Sequence, residues 1–348
     1  MAWWSIAERR ARRREREGRG GSADGARGAP SATLGFEPGA ARQATARRTV
    51  GVPPEVLRQV KLIELRTRGL VNSLYSGEYR SVFKGQGMEF SEVREYQPGD
   101  EVRSIDWNVT ARMGRPFVKR YIEERELTVM LVVDVSGSER FGTVRRFKSE
   151  MASELGAVLA MAAVRNNDRV GLLLFTDRVE HVVPPRKGRR HALRVIRDLL
   201  VHEPQGTGTD IAAAVDYLGR MLGQHAIVFL VSDFQDAALE RPLKLLARRH
   251  DLVAITVTDP GEQALPDLGL VRLRDPESGL VVDVDASDAG VREAFDRQVS
   301  DEGASRRHLL RRLAIDEIAV RTDTGYAEPL MKFFRARETR AAAGRGRH

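Results

Sequence analysis

The chain has 348 residues, a formal net charge of +8, 42% hydrophobic residues and no cysteine. That length suffices for one large domain with an accessory piece, and the missing thiols exclude disulfides, thiolate metal sites and cysteine nucleophiles. The seven histidines are scattered and none falls in a His-Glu-x-x-His spacing, so a histidine metal site is not indicated.

The charge is unevenly placed. Residues 1–50 carry eleven Arg against five acidic residues and residues 335–348 five Arg against one Glu, which leaves the body between them near −2. Both ends are rich in Gly, Ala, Ser and Arg and poor in apolar residues. Residues 1–52 and 335–348 are therefore expected to be disordered basic tails rather than parts of a folded nucleic-acid groove. No stretch approaches the roughly 18–20 apolar residues of a membrane span. Met1–Ile6 precedes the Arg-rich sequence, the wrong order for a secretory signal, and the chain is expected in the cytoplasm. Trp3, Trp4 and Ile6 beside Arg9, Arg10 and Arg12–Arg14 suit at most a weak anchor on anionic lipid.

Residues 53–126 read as an accessory segment. Pro53-Pro54 opens a helical pattern with Val56, Leu57, Val60, Leu62 or Ile63, and Leu65 on one face, running to about Leu74. From Ser81 the pattern changes to short strands and turns: Lys84–Phe90, Val93–Asp100 with its Pro98-Gly99-Asp100 turn signal, Val102–Trp107 and Phe117–Tyr121. The alternating Arg and carboxylates here admit two readings. One is a small sheet whose solvent face is laced with ion pairs, each worth at most about 1 kcal/mol. The other is a contact surface for a partner, formed by Arg94, Arg103, Asp106, Trp107 and Arg112.

Beyond Leu127 strand and helix signals alternate. The apolar, β-branched run Leu127–Val133 reads as a buried strand and ends in Asp134-Val135-Ser136-Gly137-Ser138. A helix over Phe147–Arg165 leads to a strand over Val170–Phe175, an edge strand over Val179–Val183 and a helix over Arg190–Leu200. Helix Asp210–Leu222, strand Ala226–Ser232 ending in Asp233, helix Leu239–His250 and strand Leu252–Val257 follow. A hairpin pairs Leu270–Leu273 with Leu280–Val284 through Asp275-Pro276-Glu277-Ser278-Gly279; helix Gly290–Leu313, strand Glu317–Thr322 and a short closing helix Tyr326–Phe334 complete the chain. This order predicts, for residues 127–334, a doubly wound, mostly parallel α/β sheet with one antiparallel edge.

In such sheets ligands bind beyond the carboxyl ends of the strands. Asp134, Ser136 and Ser138 follow one strand, Thr209 lies in Gly206-Thr207-Gly208-Thr209-Asp210 just before a helix, and Asp233 ends another strand. Oxygen donors without His or Cys suit a hard cation, Mg2+ or Mn2+, and argue against zinc. By itself, Asp-x-Ser-x-Ser also describes a strand leading into a capped helix, because Asp and Ser favour N-caps.

The order Asp-x-Ser-x-Ser, Thr, Asp resembles the metal-ion-dependent adhesion site of von Willebrand factor A domains. That resemblance implies that Ser136, Ser138 and Thr209 hold Mg2+ through hydroxyls, that Asp134 and Asp233 act directly or through water, and that one coordination position accepts a carboxylate from a partner protein. Glu139 stands where many relatives carry Met and is counted with the partner-facing residues, because a carboxylate there competes for the cation or shifts the preferred partner. The stretch from Gly87-Met88-Glu89-Phe90 through Val93-Arg94-Glu95-Tyr96, Pro98-Gly99-Asp100 and Ile105-Asp106-Trp107 to Ala111-Arg112 resembles the signature of the bacterial domain-of-unknown-function 58 family. Members commonly lie beside a MoxR-type AAA+ ATPase, which implies a non-enzymatic adaptor in protein maturation or remodelling, with its client unidentified. Relatives often carry transmembrane helices near the N-terminus, a pattern this sequence does not show.

Other functions fit less well. An aspartyl phosphatase needs a second Asp where Ser136 stands, Ser136 and Ser138 lack a Gly-x-Ser-x-Gly elbow, and Gly206–Asp210 has no following Lys for a phosphate loop. A Mg2+-dependent hydrolase is thus the weaker reading. Nucleic-acid binding through the Arg-rich ends would be weak, sequence-indifferent and steeply salt-dependent.

Overall fold

The computed structural model describes residues 58, 60, 62, 63, 65, 67, 69–71, 89–122, 126–140, 146–235, 239–275, 277 and 279–345. The expectations for residues 1–52, with the Trp3, Trp4 and Ile6 anchor, for the helix start at Pro53-Pro54 and for 84–88 lie outside the described residues. Between 58 and 71 the described residues are helical; Val60, Ile63 and Val71 are buried, while Leu62 and Leu65 face outward.

The accessory segment is a two-stranded antiparallel ribbon, β1 (Glu89–Glu95) and β2 (Phe117–Ile122), with a register shift between Phe90 and Glu92. Two details differ from expectation. Val102–Ser104 is a 3-10 turn, and Trp107–Met113 is a helix where the sequence suggested a strand ending at Trp107. Asp106 is the reason: its Oδ1 accepts the N–H groups of Asn108 at 2.9 Å and Val109 at 3.2 Å, capping the helix, which Gly114 then closes at φ 68°.

Strand β3 (Thr128–Asp134) lies at the centre of the main sheet. Strands β4 (Arg169–Phe175), β6 (Ile227–Val231), β7 (Asp251–Thr258) and β10 (Asp316–Arg321) run parallel with it, and β5 (Val179–Arg186) pairs antiparallel to β4 at the edge. The order is β10-β7-β6-β3-β4-β5, the doubly wound, mostly parallel arrangement with one antiparallel edge. The period of two along β3 sends Val129, Leu131 and Val133 into a core with Met151, Leu155 and Leu159 of helix Lys148–Arg165 and Phe334 of the last helix. Met130 and Val132 point the other way, against Ile211 and Leu218 of helix Ile211–Met221 and Leu243 and Leu246 of helix Glu240–Arg249. Helices on both faces are required because every residue of the strand after Thr128 is buried. From β3 the chain winds outward to β4 on one side and to β6, β7 and β10 on the other, so the topological switch point lies between β3 and β6.

A separate hairpin, β8 (Leu270–Arg274) and β9 (Val281–Asp285), stands outside the main sheet. The closing helix runs Ala327–Arg345 rather than ending at Phe334, so the basic stretch expected as a tail from residue 335 is helical as far as 345. Arg337 explains the extension. It bonds Asp251 through two nitrogens at 2.7 Å, pairs with Asp316 at 2.5 Å and lies 5.0 Å from the Phe333 ring centroid. The carboxylates that start β7 and β10 thus pair with Arg337, and Asp316 also accepts from Arg340 at 3.0 Å. Among the described residues, no helix is long and apolar enough to cross a membrane.

Gly171 marks the closest approach in the sheet. It sits where the β4–β5 register shifts, and a Cβ there would lie 2.8 Å from Met130 Sδ, 2.9 Å from the Val183 carbonyl oxygen and 3.0 Å from Pro185 N. Two of these neighbours are backbone and cannot yield easily. Gly171→Ala is expected to destabilise the domain by about 1–3 kcal/mol, read as a lower urea midpoint at unchanged slope.

Candidate metal centre

Three loops meet at the switch point. At the end of β3, Asp134 is 1% exposed; its Oδ1 accepts the Ser136 N–H at 2.9 Å, and its Oδ2 accepts the Ser232 hydroxyl at 2.9 Å and lies 3.4 Å from the Thr209 hydroxyl oxygen. The Ser136 and Ser138 hydroxyl oxygens are 3.0 Å apart. Gly137 N–H donates to the Thr207 carbonyl at 2.9 Å and ties the first loop to the second.

The second loop is held from below. Glu180 of β5 accepts the N–H groups of Gly206 at 2.7 Å and Gln205 at 3.2 Å and the Thr176 hydroxyl at 2.8 Å. Gly206 packs so closely on Thr176 that a Cβ would come 2.9 Å from that residue's own Cβ. Asp210 caps the next helix through Ala213 N–H at 2.8 Å, leaving Thr209 as the hydroxyl turned to Asp134. In the third loop Asp233 is 6% exposed and accepts the Gln235 N–H at 3.2 Å. Arg306 donates to its carbonyl at 3.2 Å, and the turn completes through Phe234 at φ 56°. Asp134, Ser136, Ser138, Thr209 and Asp233, from three stretches far apart in sequence, therefore share one place.

The electrostatics of that place are strained toward negative charge. Burial first, and then the charge of Asp233, push the Asp134 carboxyl up to about 6 despite its hydrogen bonds from Ser136 and Ser232. Beneath it, Lys148 is fully buried, with Nζ 3.1 Å from Glu262, 3.7 Å from Asp233 and 3.9 Å from Glu139. Burial works against its ammonium, but the three carboxylates outweigh burial and keep it charged. Glu139 is the member that gives way. Burial holds its carboxyl well above the usual range, with Lys148 only partly offsetting this, and neither of its oxygens accepts a hydrogen bond. Glu277, from the turn between β8 and β9, adds another carboxylate: its Oε1 accepts the Thr209 hydroxyl at 3.2 Å, and burial and then Asp233 raise its pKa.

An oxygen-only set of two buried carboxylates and three hydroxyls, in a place short of positive charge, fits a hard divalent cation such as Mg2+. Among the described residues, no three His, Asp or Glu side chains are arranged to hold an ion by themselves. Ser136, Ser138 and Thr209 would therefore be indispensable to it.

The residues read as partner-facing fare differently. Glu139 is 1% exposed and turned to Lys148, so it stands behind the centre rather than at its outward face. Asp106 is buried as a helix cap, a structural role. Arg94 is bound to Asp100 through both terminal nitrogens, at 2.8 and 2.6 Å. Arg103, Trp107 and Arg112 are exposed, Trp107 at 66%. Four members of the site were not read from the sequence: Ser232, Lys148, Glu262 and Glu277. Ser232 directly precedes Asp233, Lys148 opens a helix whose later turns, residues 156–164, are apolar, and Glu262 completes the Asp259-x-x-Glu262 capping pattern of the short helix Pro260–Gln263, all further signals; Glu277 lies in a turn with no mark to separate it from an ordinary surface acid.

The family follows from comparison with known proteins. The chain belongs to the family described as protein of unknown function DUF58, whose model matches residues 92–305. It is 33% identical over 294 residues to the uncharacterised protein Rv1480 of Mycobacterium tuberculosis, covering 84% of this chain and 92% of that one. It is also 29% identical to the uncharacterised protein YeaD of Bacillus subtilis over 109 residues, 31% of this chain and 25% of that protein. Among solved structures, the conserved hypothetical protein BatB of Bacteroides thetaiotaomicron is 18% identical with a TM-score of 0.40, covering 62% of this chain and 99% of that one. The SpRpn10 VWA domain is 11% identical with a TM-score of 0.34, covering 59% and 94%.

Two measurements probe the electrostatics. Lys148→Met leaves three carboxylates without their ammonium and is expected to destabilise the metal-free protein by about 3–5 kcal/mol, read by denaturant unfolding. Asp134 has a folded pKa raised from 3.8 to about 6. Its contribution to stability is therefore complete below pH 4 and is lost as pH rises through 6, by up to about 3 kcal/mol. With chelator present, Asp134→Asn should flatten that part of the stability–pH curve relative to wild type.

Proposed function

We propose that this protein is a non-enzymatic, Mg2+-dependent protein-binding adaptor, built on a von Willebrand factor A-like domain with a metal-ion-dependent adhesion site. The observation that carries the reading is the convergence of the Asp134, Ser136 and Ser138 loop with Thr209 and Asp233 at the switch point of the sheet. When bound, a cation held mainly by neutral hydroxyls keeps much of its positive charge and takes up a carboxylate from a partner. The chain's own part is to keep Ser136, Ser138 and Thr209 oriented, through the Asp134 and Glu180 hydrogen bonds, and to bury the negative charge behind them.

A hydrolytic role has less support. Ser136 is fully buried and shares its hydrogen bond with Ser138 rather than with a histidine, and Asp134 is engaged by Ser136, Ser232 and Thr209. The partner we propose is a MoxR-type AAA+ ATPase acting on a client protein in maturation or remodelling. That choice rests on the family resemblance.

Asp134→Ala and Asp233→Ala are expected to abolish Mg2+-dependent capture of a MoxR-type ATPase in a pull-down while leaving the circular dichroism spectrum native. Undiminished capture by both variants in excess chelator would refute the role.

A further inference from the structure

We propose that Glu277 is the chain's own carboxylate for the outward position of the metal centre, so that the β8–β9 hairpin caps the site until an acidic side chain of a partner displaces it. The inference rests on the metal-dependent reading above and adds how that site is regulated.

The hairpin is an attachment rather than a member of the main sheet. Its strands pair from Leu270 with Asp285 to Arg274 with Val281, and Val271 and Val284 pack on Leu265, Ala286, Val291 and Phe295. That small cluster is separate from the two cores that cover the main sheet. The turn holds the Glu277 backbone from within: Asp275 Oδ1 accepts its N–H at 3.1 Å, Gly279 N–H donates to the Asp275 carbonyl at 2.9 Å, and Asp275 N–H donates to the Leu280 carbonyl at 2.9 Å. Gly279 at φ 71° lies in the left-handed region such a turn requires. The Glu277 side chain, by contrast, leaves its own hairpin. It accepts the Thr209 hydroxyl at 3.2 Å, one of the three hydroxyls of the centre.

Asp134 and Asp233 already crowd the site, and a third carboxylate beside them is repelled. Thr209 has one hydroxyl proton, and it faces Asp134 Oδ2 at 3.4 Å as well as Glu277 Oε1 at 3.2 Å, so it serves only one of them at a time. Behind them Glu139 is 1% exposed and accepts no hydrogen bond at either oxygen. Positive charge among these oxygens turns the repulsion into attraction, and a hard cation with neutral hydroxyl donors readily accepts another carboxylate. Glu277 thus stands where a partner's Asp or Glu has to bind. The hairpin and the partner compete, and the apparent affinity for the partner is lowered by the fraction of molecules capped.

The test uses the full chain with Mn2+ as metal probe and a hexaglutamate peptide as carboxylate probe, comparing wild type with Glu277→Gln, Glu277→Ala and Asp134→Asn. Glu277→Gln keeps an acceptor for Thr209, so it retains the turn if the alanine variant does not fold. In wild type, Mn2+ is expected to raise amide protection across residues 270–285; Glu277→Gln should lose that gain and bind the peptide about tenfold more tightly at saturating Mn2+. Equal or weaker peptide binding by Glu277→Gln, or hairpin protection indifferent to Mn2+ in wild type, overturns the cap. The metal site would still stand in that case if wild type takes up Mn2+ and Asp134→Asn does not. If wild type takes up no Mn2+, both the site and the cap fall.

Discussion

A buried carboxylate that must be satisfied organises this molecule. Asp134 ends a strand whose residues are all packed between two layers of helices, and it cannot reach bulk water. Each of its oxygens is met by another part of the chain: one by the backbone two residues on, the other by Ser232 after β6 and by Thr209 before a helix. Leaving such a group unpaired is expensive, so these bonds fix the relative positions of three loops that belong to different strands. Lys148 extends the same logic one layer deeper, because it keeps Asp233, Glu262 and Glu139 together in a place that burial would otherwise forbid to charge.

That deeper layer also connects the centre to the far side of the sheet. Glu262 receives the Asp259 N–H at 3.2 Å, and Asp259 receives the Thr322 hydroxyl at 2.6 Å, so one chain of contacts runs from the end of β10 past β7 to the lysine under the metal centre. A cation at the proposed centre would therefore act on a group that is already balanced between three acids. In a low-dielectric interior such coupled charges respond to one another strongly.

Much of this was legible in the chain. The β-branched run before Asp134 and the alternation after it carry the sheet, its edge strand and most helix boundaries to within a residue or two, since hydrophobic period and caps are local properties. The accessory segment was less legible. Asp106 was read as a surface group, but a capping carboxylate and an ion-pairing one look alike in sequence, and only the Asn108 and Val109 amides tell them apart. The closing helix was cut short for a similar reason. Its Arg-rich end has the composition of a tail, and the carboxylates of Asp251 and Asp316 that hold Arg337 and Arg340 come from other strands.

The sequence by itself determined the doubly wound sheet and the three loops with the five oxygen-bearing side chains they carry, because each is set by short-range pattern and by residue chemistry. Tertiary structure alone decided which charges surround them: that Glu139 turns inward to Lys148 while Glu277 comes from a hairpin to meet Thr209. The physical reason is that a carboxylate's role depends on burial and on neighbours brought close by folding, and neither quantity is written in the spacing of residues along the chain.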